Sequence, residues 1–432
     1  MSLSINKKQK MPLHIKIFIG LFAGIIVGYI LNFMGGLNNP MIKDHIIPFL
    51  SFLGSIFLKS IKMVIVPLVF FSVTDAALSL GDIKKLKSIG IKTVLFFLGG
   101  SALSATIGLV VANIIKPGKG ILLGSVSKEV ATKELPGMYQ TILNLIPNNP
   151  FASLTNGDMM PVIVFSLLLG FSIILMGEKG EPLAKIINNL SEAMFNIINM
   201  IIKITPYGVF GLMSVAMAKY GTAIFGPVLK FIVTDYISAI VMITVVYSLM
   251  LIFIAKVNPL NFWKKAIEPF IVAFSTCASS AALPVSMKTA PKLGVSKEIS
   301  NFVLPLGATA NMNGTCYYFG VIVIFASQLY GIDLSIQQQI MLVVQATFLS
   351  VGCAATPQIG LVISITLLTQ MGLPLEATAL VAGIYRIIDQ AHTATNSSGD
   401  LVTTVCISAL EGDLDREVFN DPDAGKETLA TA

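Results

Sequence analysis

The stretch "RIIDQAHTATNSSGD", residues 386–400, concentrates groups that can do chemistry inside an otherwise apolar part of the chain. On a helix, successive residues turn by about 100°. Asp389, Thr393, Asn396 and Asp400, at i, i+4, i+7 and i+11, therefore share one face, with Arg386 and His392 beside it. A carboxylate at membrane depth is costly and usually functional. Asp389 offers an anion to an amine, Asn396 can donate to or accept from a carboxylate, and Asp400 adds a full charge for a cation. The bland alternative is an Arg386–Asp389 ion pair at i, i+3 that only neutralises itself. It leaves Asn396 and Asp400 unexplained.

A second polar stretch, "PLGATANMNGT" (Pro305–Thr315), places Gly307, Ala310, Asn311 and Gly314 where an apolar helix should run. Each glycine weakens a helix by up to about 1 kcal/mol against alanine. A break here frees backbone carbonyls, and with the Asn side chains they are hard oxygen ligands suited to Na⁺. A kinked helix with Asn bonded to its neighbours is the competing reading. The third stretch is "AFSTCASSAALPVSMK", centred on Ser279 and Ser280.

The elements that must hold these groups are membrane helices. Of 432 residues, 54% are hydrophobic and 12% charged, against about 25% charged in soluble domains. Mean hydropathy is +0.81. Apolar segments fall near 15–33, 46–80, 89–115, 159–177, 183–217, 223–256, 267–287, 298–327, 338–370 and 374–410. The first shows no small-residue cleavage site and reads as a retained helix. Net charge is +6 and reflects loops on the cytoplasmic side, so nucleic-acid binding is not expected. Cys277, Cys316, Cys353 and Cys406 show neither metal spacing nor a secreted disulfide pattern. The histidines His14, His45 and His392 lie far apart, and no arrangement suggests an enzyme.

Lysines orient the segments. Lys7, Lys8, Lys10 and Lys16 put the N-terminus inside, as do Lys84, Lys85 and Lys87 the loop after the second helix. Lys264/Lys265 and Lys288/Lys292 flank one apolar segment, yet both flanks read as cytoplasmic. A re-entrant hairpin turning at the serines resolves this, since exposed backbone at that depth is tolerated only against protein or a wet cavity. A second interrupted segment, "FLSVGCAATPQIGLVISI", follows the outside loop "QLYGIDLS" and would enter from the opposite face. Paired, Pro-interrupted segments in an inverted repeat point to a transporter's midplane site. Ser and Ala also pack helices closely in lipid, which is the plainer explanation for either segment alone. The tail, residues 413–432, is polar and aperiodic and is expected to fray in the cytoplasm.

Taken in order, "KMVIVPLVFFSV", "ITPYGVFGLM", the serine-rich tip, "NMNGT" and D-x-x-x-T-x-x-N-x-x-G-D make the chain resemble the dicarboxylate/amino acid:cation symporter family over nearly its whole length. The resemblance implies eight transmembrane helices plus two re-entrant hairpins in an all-α fold, a homotrimer in the cell membrane with both termini cytoplasmic, and elevator-like alternating access. It implies scaffold helices within 1–260, with the third helix (89–115) joining a transport domain at 261–412. It assigns Asp389 to the substrate amine, Asn396 and the backbone at Ser279–Ser280 to the α-carboxylate, and Thr315 and Thr393 to the pocket wall. One cation site would comprise Gly307, Asn311, Asn396 and Asp400. A second would use Thr309, Ser350, Val351 and Cys353, with the second hairpin as the extracellular gate.

Departures from that pattern bear on the substrate. His392 stands where acidic-substrate members carry an arginine fork, and histidine is mostly neutral above about pH 6.5. Cys277 stands where some relatives carry Arg, although Arg386, one turn away, offers partial compensation. Asn313 replaces a usual Asp, and Phe97 and Gly100 replace oxygen-bearing residues, leaving Ser101 in a degraded third cation site. The expectation is a cation-coupled amino acid symporter using Na⁺, or else H⁺, with a neutral substrate. The alternatives are an acidic amino acid or dicarboxylate symporter and, in another class, an ion channel.

Overall fold

The computed structural model describes residues 11, 13–79, 87–120, 143, 146–351 and 358–422. Within them the regular elements are helical, with no strand. They are α1 (Leu13–Phe33), α2 (Ile47–Ser79), α3 (Lys87–Ile115), α4 (Pro150–Asn156), α5 (Met159–Leu175), α6 (Glu181–Ile202), α7 (Thr205–Tyr220), α8 (Phe225–Ile240), α9 (Tyr247–Met250), α10 (Pro259–Thr276), α11 (Ser279–Thr289), α12 (Lys297–Ala310), α13 (Asn313–Leu329), α14 (Ile336–Val351), α15 (Ile359–Gln370), α16 (Glu376–Glu411) and α17 (Arg416–Asn420). Among these residues, four stretches are long and apolar enough to cross a membrane: Ile15–Phe33, Ile42–Leu78, Ser88–Ile115 and Thr205–Ala255.

The distribution of polarity is that of a protein solvated by lipid. On α1, Ile19, Phe22 and Ile26 are exposed. Meanwhile α16, the most polar long helix, buries Asp389, His392, Asn396 and Asp400. Polar side chains in a bilayer must face protein, so the polar helix takes the centre. Helix α13 is buried from Asn313 to Ser327 on every side.

Close helix approach is written in small residues. On α1, a Cβ added at Gly20, Gly24 or Gly28 would lie 2.4, 2.8 or 2.4 Å from the Pro206, Phe210 or Ser214 carbonyl oxygen of α7. Between α3 and α13, Gly108 and Gly320 do the same against the Tyr317 carbonyl and the Leu109 amide. Two packed groups result: α1, α2 and α7 form one, while α13 and α16 pack with α3, α8, α10, α12 and α15 in the other. Helix α8 leads into α9 through a π-helical turn at Val241–Val246, with another at Leu251–Ala255.

The first hairpin turns one step earlier than the serines suggest. Cys277 takes the left-handed conformation that caps α10 (φ 54°), Ala278 is extended, and Ser279 opens α11. Its two ends lie together, because the Lys265 Nζ donates to the carbonyls of Lys292, Val418 and Phe419 at 2.8, 2.7 and 3.0 Å. The same contact holds the part of the tail that is described, residues 413–422, against the first hairpin. Asp415 caps α17, and Phe419 is fully buried within an apolar cluster while its backbone carbonyl accepts from Lys265. Residues 423–432 lie outside the described residues, as do Lys7, Lys8, Lys10, Lys84 and Lys85 and residues 352–357, where the tip of the second hairpin was expected.

Candidate substrate and cation site

Sequence and structure agree on a helix break at the "NMNGT" stretch. Helix α12 ends at Ala310, Asn311 and Met312 leave helical geometry (ψ 80° and 51°), and α13 begins at Asn313. The last carbonyls of a helix lack intrahelical partners, so the break delivers both backbone oxygens and Asn side chains to the interior. Asn311 Nδ2 donates to Asp400 Oδ1 at 2.9 Å. The Asn311 Oδ1 is buried without a partner. Gly307 keeps room for the Asp400 carboxylate, since a Cβ there would meet Oδ1 at 2.5 Å. A carboxyl group beside an orphaned amide oxygen offers a hard cation its ligands, and an orphaned buried acceptor costs about 1–3 kcal/mol until it is filled.

Asn396 joins the break to α16. Its Oδ1 accepts the Gly314 amide at 2.6 Å, and its Nδ2 lies 3.3 Å from Met312 Sδ. Asp389, 6% exposed, accepts the Gln358 amide at 3.2 Å on Oδ2. Thr315 and Thr393 are buried, and Gly360 lets the Tyr385 hydroxyl and the Thr315 methyl close in from α15's side. Ser279 is buried and Ser280 exposed at the hairpin tip. The structure thus gathers Gly307, Asn311, Asn396 and Asp400 around one break, with Asp389 and Thr393 on the same helix.

The other expected groupings fall only partly within the described residues. Thr309 is exposed and donates to its own helix at Leu306 (3.0 Å). Ser350 is buried with its hydroxyl 3.2 Å from that of Ser101, so Ser101 neighbours the second group. Val351 ends α14 with its side chain outside the described residues, where Cys353 also lies. Phe97 packs beside Gly307, and Gly100 lies against the Asn313 amide. Asn313 donates to the Tyr247 hydroxyl at 3.1 Å, which donates to the Thr395 carbonyl at 2.9 Å, and Asn313 Oδ1 has no partner. A separate cleft of about 350 Å³, lined by Ser51, Lys219 and Glu376 among others, shares no residue with this cluster.

Arg386 does not pair with Asp389. Its guanidinium donates to the carbonyls of Thr276 (3.1 Å) and Ser275 (3.2 Å), the last turn of α10. A cation is favoured at a helix C-terminus, where carbonyls are orphaned, and that end outcompetes the neighbour at i+3. Two of its five N–H donors are used there. Arg386→Ala is therefore expected to loosen the tip and speed maleimide labelling of the buried Cys277 thiol (2% exposed) by about tenfold, the effect of 1.4 kcal/mol. Mass-resolved labelling of the purified protein measures it, and an unchanged rate would mean the tip stands without Arg386.

One group escaped the sequence reading. Asp235 on α8 is fully buried, with both carboxylate oxygens 3.0 Å from His392 Nε2. The signal was present: a lone acid within the apolar run "FIVTDYISAI", of the kind that is rarely idle in a membrane.

Comparisons with known proteins agree with this arrangement. The family model described as "Sodium:dicarboxylate symporter family" matches residues 13–410. The chain is 37% identical over 420 residues to the proton/sodium-glutamate symport protein of Geobacillus stearothermophilus, covering 95% of this chain and 97% of that one. It is 32% identical over 425 residues to the proton/glutamate-aspartate symporter of Escherichia coli (95% of each). It is also 29% identical over 416 residues to a C4-dicarboxylate transport protein of Rhodospirillum rubrum, covering 94% and 90%. A polar helix buried among apolar ones, a broken helix beside it and a match along nearly the whole chain lead to one conclusion: this protein belongs to the sodium:dicarboxylate symporter family, whose members are transporters and not enzymes.

Proposed function

We propose that the protein carries an acidic amino acid across the membrane together with cations. The observation that carries this reading is the buried Asp389 on one face with Thr393 and Asn396, next to the Asn311–Asp400 pair. Asp389 takes the substrate amine, which favours an amino acid over a simple dicarboxylate, since the latter has no amine to offer. Asn396 and the start of α11 at Ser279–Ser280 take the α-carboxylate, and a helix N-terminus suits an anion. The acidic side chain is supported by relatives that carry glutamate, aspartate or C4-dicarboxylates. That similarity outweighs the neutral substrate expected from His392 and Cys277. The neutral reading keeps second place, because His392 and Cys277 stand at the two positions and Arg386 already gives two of its donors to the α10 carbonyls.

Na⁺ binds at Asp400, Asn311 and Gly307 in this reading, with Asn396 nearby. The moving body comprises α3 and residues 261–412, to which the packing of α8 on α13 and α16 adds the first half of the sixth span. Residues on α1, α2 and α7 form the scaffold, and three copies assemble as a trimer. The two interrupted segments act as re-entrant hairpins from opposite faces. Uptake of labelled amino acids into proteoliposomes, competed by aspartate, glutamate, asparagine and serine, tests the substrate class. Competition by aspartate and glutamate supports it, and competition by serine alone would give the place to the neutral reading.

A further inference from the structure

Half-buried Lys265, near the start of the first hairpin, spends its hydrogens on the carbonyls of Lys292, Val418 and Phe419. Two of the three belong to the C-terminal segment, which also lays the Phe419 ring 5.9 Å from the ammonium nitrogen. A charged group taken out of water is costly unless it is hydrogen-bonded, and an aromatic face adds attraction. The segment is seated at other points too. The Asp415 amide donates to the Gly294 carbonyl at 2.9 Å, in the turn after α11. Gly294 has φ 72°, and a Cβ there would lie 2.1 Å from the Asp415 carbonyl oxygen, so this approach needs glycine. Arg416 donates to the carbonyls of Lys256 (2.9 Å) and Ala255 (3.0 Å), where the sixth span ends. Asn261 Nδ2, at the start of α10, donates to Asn420 Oδ1 at 3.2 Å. Phe419 shares an apolar cluster with Ala255, Phe262 and Leu293. Helix α17 thus joins the end of the sixth span, the base of α10 and the turn after α11. The family model stops at residue 410, before this segment begins.

The far end of α10 is tied as well. Arg386 of α16 donates to the carbonyls of Ser275 and Thr276, just before the turn at Cys277. Lys265 and Thr276 are about three helical turns apart. A rod held at one point can pivot, whereas a rod held at two keeps both its position and its tilt. Both ties run to α16 or to the chain that continues it, so the hairpin is mounted on the helix that carries Asp389 and Asn396.

We propose that residues 415–420 are a mount for the substrate site: by holding Lys265 they fix where the tip of the first hairpin stands relative to α16, and so set the affinity for substrate. This rests on the reading that the start of α11 takes the α-carboxylate while Asp389 takes the amine. Two groups that grip one small molecule must keep their spacing, to within about 0.5 Å. Lys265 acts from the far end of α10 and is a positioning residue, as is Phe419.

The test uses the full-length protein with a substitution on either side of the contact, Lys265→Met or Phe419→Ala. Uptake of the labelled amino acid that the parent accumulates is measured in proteoliposomes, and maleimide labelling of Cys277 is followed on the same preparations. Each variant is expected to raise KM about tenfold, to keep the maximal rate within about twofold of the parent and to quicken Cys277 labelling about tenfold. Lys265→Arg, which still donates to carbonyls, should keep the parental KM. The double variant Lys265→Met/Phe419→Ala should cost little beyond either single change, because both open the same tie. Should Phe419→Ala elute apart from the parent on size exclusion, the two Lys265 variants carry the test. Costs that add, or a lowered maximal rate at parental KM, overturn the mount. Parental KM and parental labelling in the single variants overturn it too, and leave the substrate reading standing. Faster labelling at a parental KM overturns both the mount and the placing of the α-carboxylate at the tip.

Discussion

Asp389→Asn is expected to abolish amino acid uptake while leaving the fold intact. Asp389 is the acid on the α16 face that the Gln358 amide approaches, and its neighbours Thr393 and Asn396 are neutral. The isosteric amide keeps the acceptor for Gln358 but cannot pair with an ammonium group. Leaving a buried charge without its partner costs about 3–5 kcal/mol, which is more than a hundredfold in affinity. The packing around the site asks nothing of the charge, so size-exclusion behaviour should match the parent. Measured substrate affinity is the check, and a variant that transports with parental affinity would show that the amine binds elsewhere.

The second large effect concerns cations. Asp400→Asn should remove the dependence of transport on sodium. Asp400 is the carboxylate at the helix break and the acceptor for Asn311. A dehydrated Na⁺ gains much from a full negative charge where the dielectric is low, and an amide supplies an oxygen without that charge. The same reasoning predicts a weak third site. Asn313 stands at its centre as an amide already donating to Tyr247, with Gly100 and Phe97 offering no side-chain oxygen. A coupling ratio nearer two sodium ions per substrate than three is expected. Reversal potentials in proteoliposomes measure it: three ions would show that the orphaned Asn313 oxygen still binds, and a zero ratio would mean that Asp400 handles a proton.

The features that could be seen in the sequence were those with a local cause. The break at Asn311–Met312 followed from glycines and asparagines in an apolar run, and the shared face of α16 followed from 3.6-residue periodicity. The turn of the first hairpin was placed within two residues, at Cys277 and Ala278 where Ser279–Ser280 had been expected. What stayed hidden depends on partners distant in the chain. Spacing allowed an Arg386–Asp389 pair as the plainer alternative, whereas the folded chain offers Arg386 the end of α10, more than 100 residues earlier. Asp235 carries no break of Gly, Ser and Pro to mark it, since α8 is an unbroken apolar helix through that position. Its partner His392 lies 157 residues away. The docking of α17 was hidden too, since a polar aperiodic tail gives no hint that Lys265 needs its carbonyls.

The most direct test of the account is accumulation of labelled aspartate in proteoliposomes holding the purified protein, with an inward sodium gradient imposed. Internal aspartate is expected to rise above the external concentration and to collapse when the gradient is dissipated. Equilibration without accumulation would indicate a channel, and accumulation indifferent to sodium but driven by a proton gradient would contradict the assignment of the Asp400 site to Na⁺.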